Sequence, residues 1–347
     1  MKYNYIFIVL LFFLCNACKE ESTTVIDSFD IVERIVDYDS IYSDKNDPLN
    51  IVTDIKIIDN ILITKHFYDD YSFSFFDVND GRMLCRWGIK GEAPDEFIDF
   101  GSDFDILGSQ IVFLNRMKKE INYVLISDIL ENRDTLSIQK ESYPYTVDFR
   151  PSSLRNVKDK KLFLGSFKEG RFGVLDSTNT ILNFLSEYPF DCGEVSGIYR
   201  GSVFQGKMEA NSKEGKFVIS TFSSDIFEIY QVSDSAVYRV YINKFNNTPR
   251  VCKKGGRYTI DFDKSIVGLM NMAVSDSLIC FTYSSKYENE MGSIDKGFNE
   301  LLCFNWEGKK IKKYLLPFHI NKFCVDKHFI YGVRYYNDET IFYRFKM

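Results

Sequence analysis

Histidine, tryptophan and proline are scarce in this chain of 347 residues: three, two and seven. So few imidazoles leave little material for a histidine-based metal site or a histidine general base. Basic residues are not in excess either. Lysine and arginine together number 43 against 49 acidic residues, for a formal charge of −6, so there is no surplus of cations to track a phosphate backbone, and nucleic acid is not an expected partner. No phosphate-binding glycine loop, dinucleotide fingerprint or nucleophile elbow stands where a strand and helix would support it. No catalytic residue, cofactor or metal is therefore assigned. What the chain does have is aromatic bulk, with 32 phenylalanines and 22 tyrosines, a composition that suits pleated strands.

The only long apolar run is residues 5–14, preceded by Lys2. About ten residues is half of the roughly 20 needed to span a bilayer, and matches the core of a signal peptide. The run ends in Leu14-Cys15-Asn16-Ala17-Cys18, followed by Lys19-Glu20-Glu21. This resembles a bacterial lipobox, with Cys15 where an aliphatic residue is usual and Cys18 as the acylated first residue of the mature chain. The resemblance implies a signal peptide over 1–17, a polar tether over 18–27 and one folded body over 28–347. It also implies a lipid anchor in the outer membrane, facing the cell surface or the periplasm.

Within that body one phrase recurs: an apolar alternating strand, a polar turn and a second strand. It occupies residues 55–63, 104–113, 154–164, 208–219, 272–281 and 323–331. The spacing, roughly 50 residues, is a propeller-blade period. A second hairpin follows most copies, as in 72–77 and 83–87 around Asp80-Gly81, a strong hairpin turn. The sixth copy is followed only by residues 340–347, whereas residues 29–37 hold an apolar strand with no blade of its own. The pattern predicts an all-β fold: a six-bladed β-propeller of four-stranded antiparallel blades, the last closed by an N-terminal strand.

Residues 87–97, Trp-Gly-Ile-Lys-Gly-Glu-Ala-Pro-Asp-Glu-Phe, are similar to a glycine, proline and Glu-Phe signature after the first blade of TolB-like six-bladed propeller lipoproteins of the Bacteroides group. That family implies fold and location and supplies no catalytic residues.

Turns within the predicted hairpins are short on one face of such a ring. The connections on the other face are long, notably 88–103, 188–207, 245–271 and 284–299, and long loops on a rigid scaffold are where binding resides. Arg116, Arg150, Arg171, Arg200 and Arg334 fall near that face, among Tyr68, Tyr199, Tyr335 and Tyr336. They form a candidate site for a carboxylate-bearing ligand or sugar, with ion pairing to Asp69, Asp70, Asp148 and Asp338 as the alternative. His66 beside Asp69 and Asp70 is a further candidate. Asp99, Asp103 and Asp105 alternate but lack the glycine and terminal glutamate of a calcium loop. Among the cysteines, Cys280 and Cys303 lie on neighbouring strands of the fifth blade and are the pair positioned for a disulfide. The expected role is a non-catalytic module binding a glycan, a peptide or an envelope protein. A propeller hydrolase or lyase using carboxylates such as Glu92, Asp95 and Glu96 on a polysaccharide or lactone is the alternative, and a structural subunit is the third.

Overall fold

The computed structural model describes residues 29–43, 49, 51–67, 69–93, 96–97, 103–131, 136–144, 149–168, 170–176, 178, 181–185, 188–190, 193, 195, 198–243, 247–291 and 297–347. Six antiparallel sheets follow one another along the chain. Blade one comprises Val52–Ile58, Ile61–His66, Tyr71–Asp77 and Met83–Ile89, ordered from the axis outward. Blade two runs from Asp105–Leu107 through Gln110–Asn115 and Glu120–Leu125 to Ile138–Ser142. A short helix, Ile126–Leu130, stands between its third strand and its outer strand. Blades three and four start at Phe149–Val157 and Met208–Asn211 and end at Ile181–Leu185 and Val237–Asn243.

Blade five, Ile266–Val274 to Lys310–Ile320, carries a fifth strand, Val32–Arg34, paired in parallel on its outer edge. Blade six contributes Lys322–Val325, Phe329–Tyr336 and Glu339–Lys346 from the C-terminus and takes Tyr38–Ser43 as its outer strand. The ring is thus closed by an N-terminal strand, but the strand that does it is the one after residues 29–37. Arg344 fixes the register by a two-pronged contact, Nε and Nη2 reaching the two carboxylate oxygens of Asp39 at 3.1 and 2.8 Å.

The core is six apolar wedges, one between each pair of neighbouring blades, and this explains the aromatic content. Phe73, Phe104 and Phe113 meet between blades one and two. Phe172, Phe217 and Tyr230 meet between blades three and four, the last two stacked at 4.9 Å. Between blades six and one, Val52, Leu62 and Phe76 pack on Tyr331, Val333 and Phe342. That sixth wedge demonstrates closure independently of the strand pairing. Gly81, in the outer hairpin turn of blade one, has φ +73° and sits so close to the closing strand that a Cβ would lie 1.7 Å from the Ile41 carbonyl oxygen.

Three of the long connections hold structure of their own, residues 284–299 in the form of a short helix, Glu288–Met291. Residues 247–265 include a hairpin, Val251–Lys254 with Arg257–Ile260, and the preceding blade-three-to-four connection contains a helix, Ile198–Val203. They pack together through Val203, Phe204, Val251 and Tyr258, outside the six wedges.

Candidate functional site

Inner strands of a propeller converge on its axis, and there this sequence places charge. Asp54 and Lys56 come from blade one, Asp103 and Asp105 from the start of blade two, and Arg155 from blade three. Lys207 and Glu209 come from blade four, Asn271 from blade five and Lys322 from blade six. Arg155 is wholly buried and spans the axis: Nε and Nη2 lie 3.1 and 3.0 Å from the two oxygens of Glu209, and Nη2 is also 3.0 Å from Asp103 Oδ2. Lys56 Nζ meets Glu209 at 2.8 Å and Lys207 Nζ meets Asp54 at 2.9 Å. Ser153 donates to Asp103 Oδ2 at 2.6 Å, and Lys322 donates to Asn271 Oδ1 at 3.0 Å.

These groups titrate abnormally for reasons visible in that geometry. Burial works against the Glu209 and Asp54 carboxylates, but the surrounding cations, Arg155 first for Glu209 and Lys207 first for Asp54, hold both below the usual range. Asp105 is shifted up, its burial only partly offset by Arg155 and Lys56. Lys322 is pushed down to about 8 by burial, with Lys207 nearby adding to the shift and Asp54 opposing it. Asp103 and Asp105 are therefore partners of Arg155, not free donors for calcium; Asp99 lies outside the described residues.

The axis opens at both ends. On the face of short turns lies a cavity of about 470 Å³ bordered by Lys56, Asp105 and Glu209. On the loop-rich face lies one of about 510 Å³ between blades two, three and four. Arg116 and Met117 line it from blade two, Arg150, Pro151 and Ser152 from the inner strand of blade three, and Gln205, Gly206 and Phe222 from blade four. A bulge between Pro151 and Ser153 breaks the ladder there and re-aims the strand. Gly165 on the facing strand permits the approach, since a Cβ would stand 2.2 Å from the Arg150 carbonyl oxygen. Arg150 is exposed and makes no ion pair with any described residue. Two guanidiniums with serine and glutamine dipoles and apolar walls make a surface for a planar anion. Among the described residues no carboxylate lines it.

Of the arginines singled out from the sequence, the fold brings Arg116 and Arg150 together and separates the rest. Arg171 is 1% exposed, its Nε 3.3 Å from Glu228 and its Nη2 donating to Thr221 Oγ1 at 2.7 Å, with Nη1 on the Phe204 carbonyl. It is a bolt between blades three and four and is closed to ligand. Arg200 lies on the helix Ile198–Val203, donates from Nε to the Val195 carbonyl at 2.8 Å and sits over Tyr188. Arg334 is sandwiched between Phe318 and Tyr336, 4.5 Å from each ring centre, at the border of blades five and six. His66 ends the second strand of blade one but is buried: it is 3% exposed, with Nε2 2.9 Å from Thr64 Oγ1. Tyr335 bonds the Val52 backbone across the ring closure, while Tyr199 and Tyr336 are exposed. Cys18, Tyr68, Asp95 and Asp148 lie outside the described residues, as do residues 1–28 with their leader and tether. Gln205, Gly206 and Phe222 were missed by sequence reasoning, since nothing in their local pattern marks them. Position 222, two residues past a second strand and close to the place Arg116 takes in blade two, was the available signal.

Fold and site define a six-bladed propeller with a polar axis and a mouth on its loop-rich face. The chain matches the model of the TolB-like 6-blade propeller-like family over residues 32–328 and belongs to that family. Among solved structures it is similar to a "Putative exported protein" of Bacteroides fragilis, at 12% identity and a TM-score of 0.59, over 91% of this chain and 98% of that one. It is also similar to a member of the DUF4221 family from Bacteroides vulgatus, at 10% identity and a TM-score of 0.56, over 90% of this chain and 97% of that one. At such identities the likeness speaks for fold alone. No curated protein matches the chain.

Proposed function

We propose that this propeller is a non-catalytic binding module which takes an anionic ligand, a carboxylate-bearing sugar or an acidic peptide end, in the loop-face cavity. One observation carries the reading: Arg116 and Arg150, from different blades, line one cavity of about 510 Å³ together with Ser152 and Gln205. That volume falls in the range that holds small ligands, about 300–1,000 Å³. Met117, Leu164 and Phe222 supply apolar walls for the body of such a ligand. The hydrolase or lyase alternative needs convergent carboxylates, and the described lining residues include none.

The module works, on this proposal, outside the cytoplasm. The short apolar leader and Cys18 support export and lipid anchoring in the outer membrane, and the similar Bacteroides fragilis protein is named as exported. Partners on that side are glycans, peptides or envelope proteins.

Thermal shift of the purified protein against uronic acids, their neutral sugar counterparts and acidic or amidated peptides tests the reading. At about a hundredfold excess over Kd, a bound ligand adds about 2.7 kcal/mol to stability. A rise with the acids alone, abolished in Arg150→Ala and in Arg116→Ala, is the expected outcome. Equal rises with neutral counterparts, or variants that keep the response, refute it.

A further inference from the structure

We infer that Cys280 and Cys303 are a disulfide site that staples the two central strands of blade five. The residues face each other directly in the register of Ile279–Tyr287 with Phe298–Phe304. Directly opposed residues of an antiparallel pair have Cα atoms about 4.5 or 5.5 Å apart, and both spacings lie inside the range that a disulfide bridges. The two Sγ atoms are 2.9 Å apart, inside the van der Waals contact of two sulfurs and only about 0.9 Å beyond a covalent S–S bond. Both side chains are 0% exposed, among Ala273, Leu301, Tyr314 and Leu316. Two thiols in an apolar wedge gain little from a weak S–H···S contact, whereas a covalent bond needs the sulfurs to close by only about 0.9 Å.

The other described cysteines do not share this placement. Cys85 is on the outer strand of blade one, Cys252 on the inserted hairpin and Cys324 on the inner strand of blade six. A staple between 280 and 303 closes the chain around residues 284–299, the excursion on the loop-rich face. Tyr283, Ser284, Asn299 and Glu300 at its two ends wall a cavity of about 240 Å³ with Lys286 and His319. The bond fixes both ends of that excursion.

The chemistry is thiol–disulfide exchange with an oxidant of the disulfide class, either glutathione disulfide or the active-site disulfide of an oxidoreductase. One thiol loses its proton and attacks a sulfur of the oxidant, forming a mixed disulfide and expelling one thiolate. The second cysteine, deprotonated, then attacks the protein sulfur of that mixed disulfide, forms the Cys280–Cys303 bond and expels the other oxidant thiolate. The protein loses two electrons and two protons, and the oxidant disulfide becomes two thiols. Because neither sulfur is accessible in the folded blade, exchange takes place before blade five packs.

The setting rests on the proposed export, since disulfides persist in oxidising compartments. The experiment therefore uses two preparations of the full chain: one recovered from the cell envelope, and one refolded in a glutathione redox buffer. Each is denatured with iodoacetamide in the absence of reductant and digested. The expected product is one linked species joining the peptides of Cys280 and Cys303, lighter by two hydrogen atoms than the separate peptides. Protein refolded in reductant is expected to melt roughly 5 °C below protein refolded in the redox buffer, a difference absent from Cys280→Ser and from Cys303→Ser. Alkylation of both cysteines in the refolded chain, or linkage of either to a different cysteine, overturns the inference. A link present after refolding but absent from envelope material upholds the pairing and counts against export alone.

Discussion

Arg155 and Glu209 face each other across the propeller axis as a fork against a fork, two guanidinium nitrogens on two carboxylate oxygens at 3.0 and 3.1 Å. They come from blades three and four, and Asp103 of blade two shares the same guanidinium. A buried pair of this kind contributes modestly when intact, because desolvation offsets attraction, but removing one partner strands the other. Arg155→Met takes from Asp103 the guanidinium paired with it and leaves Glu209 to Lys56 alone. Destabilisation of about 3–5 kcal/mol is expected, read as a fall in the urea midpoint.

Arg171→Met tests the distinction between structural and ligand-facing arginines. Glu228 is 0% exposed and, among the described residues, would keep only Arg239 Nη1 at 2.8 Å and the Tyr230 hydroxyl at 2.7 Å. A loss of about 2–4 kcal/mol is expected, whereas exposed Arg150→Ala should change stability by less than about 0.5 kcal/mol. Chemical denaturation of the two variants side by side decides the matter; equal losses contradict the assignment.

Much of the architecture was readable because its signals are local. Strand alternation, Asp80-Gly81 and the repeat spacing each depend on neighbours in sequence. Which N-terminal segment closes the ring is not local. Val32–Arg34 and Tyr38–Ser43 are both short strands, and their partners lie about 300 residues away, so only the assembled outer edges of blades five and six sort them. The site suffered more. Asp54, Lys56 and Glu209 sit at polar positions of alternating strands, a pattern identical to a solvent-facing stripe, and only the closed ring turns that stripe inward. Arg171 reads like any arginine after a strand until Phe204 and Thr221 of the next blade fold over it.

Asp225 should give stability an acid-side slope. Its carboxyl is 0% exposed; Oδ2 accepts from Asn247 Nδ2 at 2.8 Å, while Oδ1 has no hydrogen-bond partner among the described residues. Burial pushes it up to about 6, with Asn247 only partly opposing. Folding therefore favours its protonated form. The contribution is fully present below about 4 and is lost as pH rises through about 6, amounting to about 2–3 kcal/mol. Asp225→Asn should remove that slope. Urea midpoints of variant and parent between pH 4.5 and about 7.5 read it, and parallel curves sink the prediction.

Lys322 works at the opposite end of the scale. Its folded-state value of about 8 lies below the ordinary 10.5, so folding favours the neutral amine. The stability this brings is complete above 10.5 and is lost as pH falls through about 8, leaving a penalty at neutral pH. Lys322→Met should match or exceed the parent at neutral pH by about 1 kcal/mol, with the gap shrinking toward pH 10. Melting temperatures across that range would contradict this if the gap widened instead.

The closing strand also sets a clock. Asp39 and Arg344 are 305 residues apart in the chain. At a synthesis rate of about 5–20 residues per second, on the order of 15–60 s pass between the appearance of the two. Throughout that interval Tyr38–Ser43 waits without the strand it will join. Its exposed Asp39, Ser40 and Ser43 make it a poor template for pairing with another chain. The ring can be completed only after Glu339–Lys346 has emerged, so its closure depends on a strand made long before the one it joins.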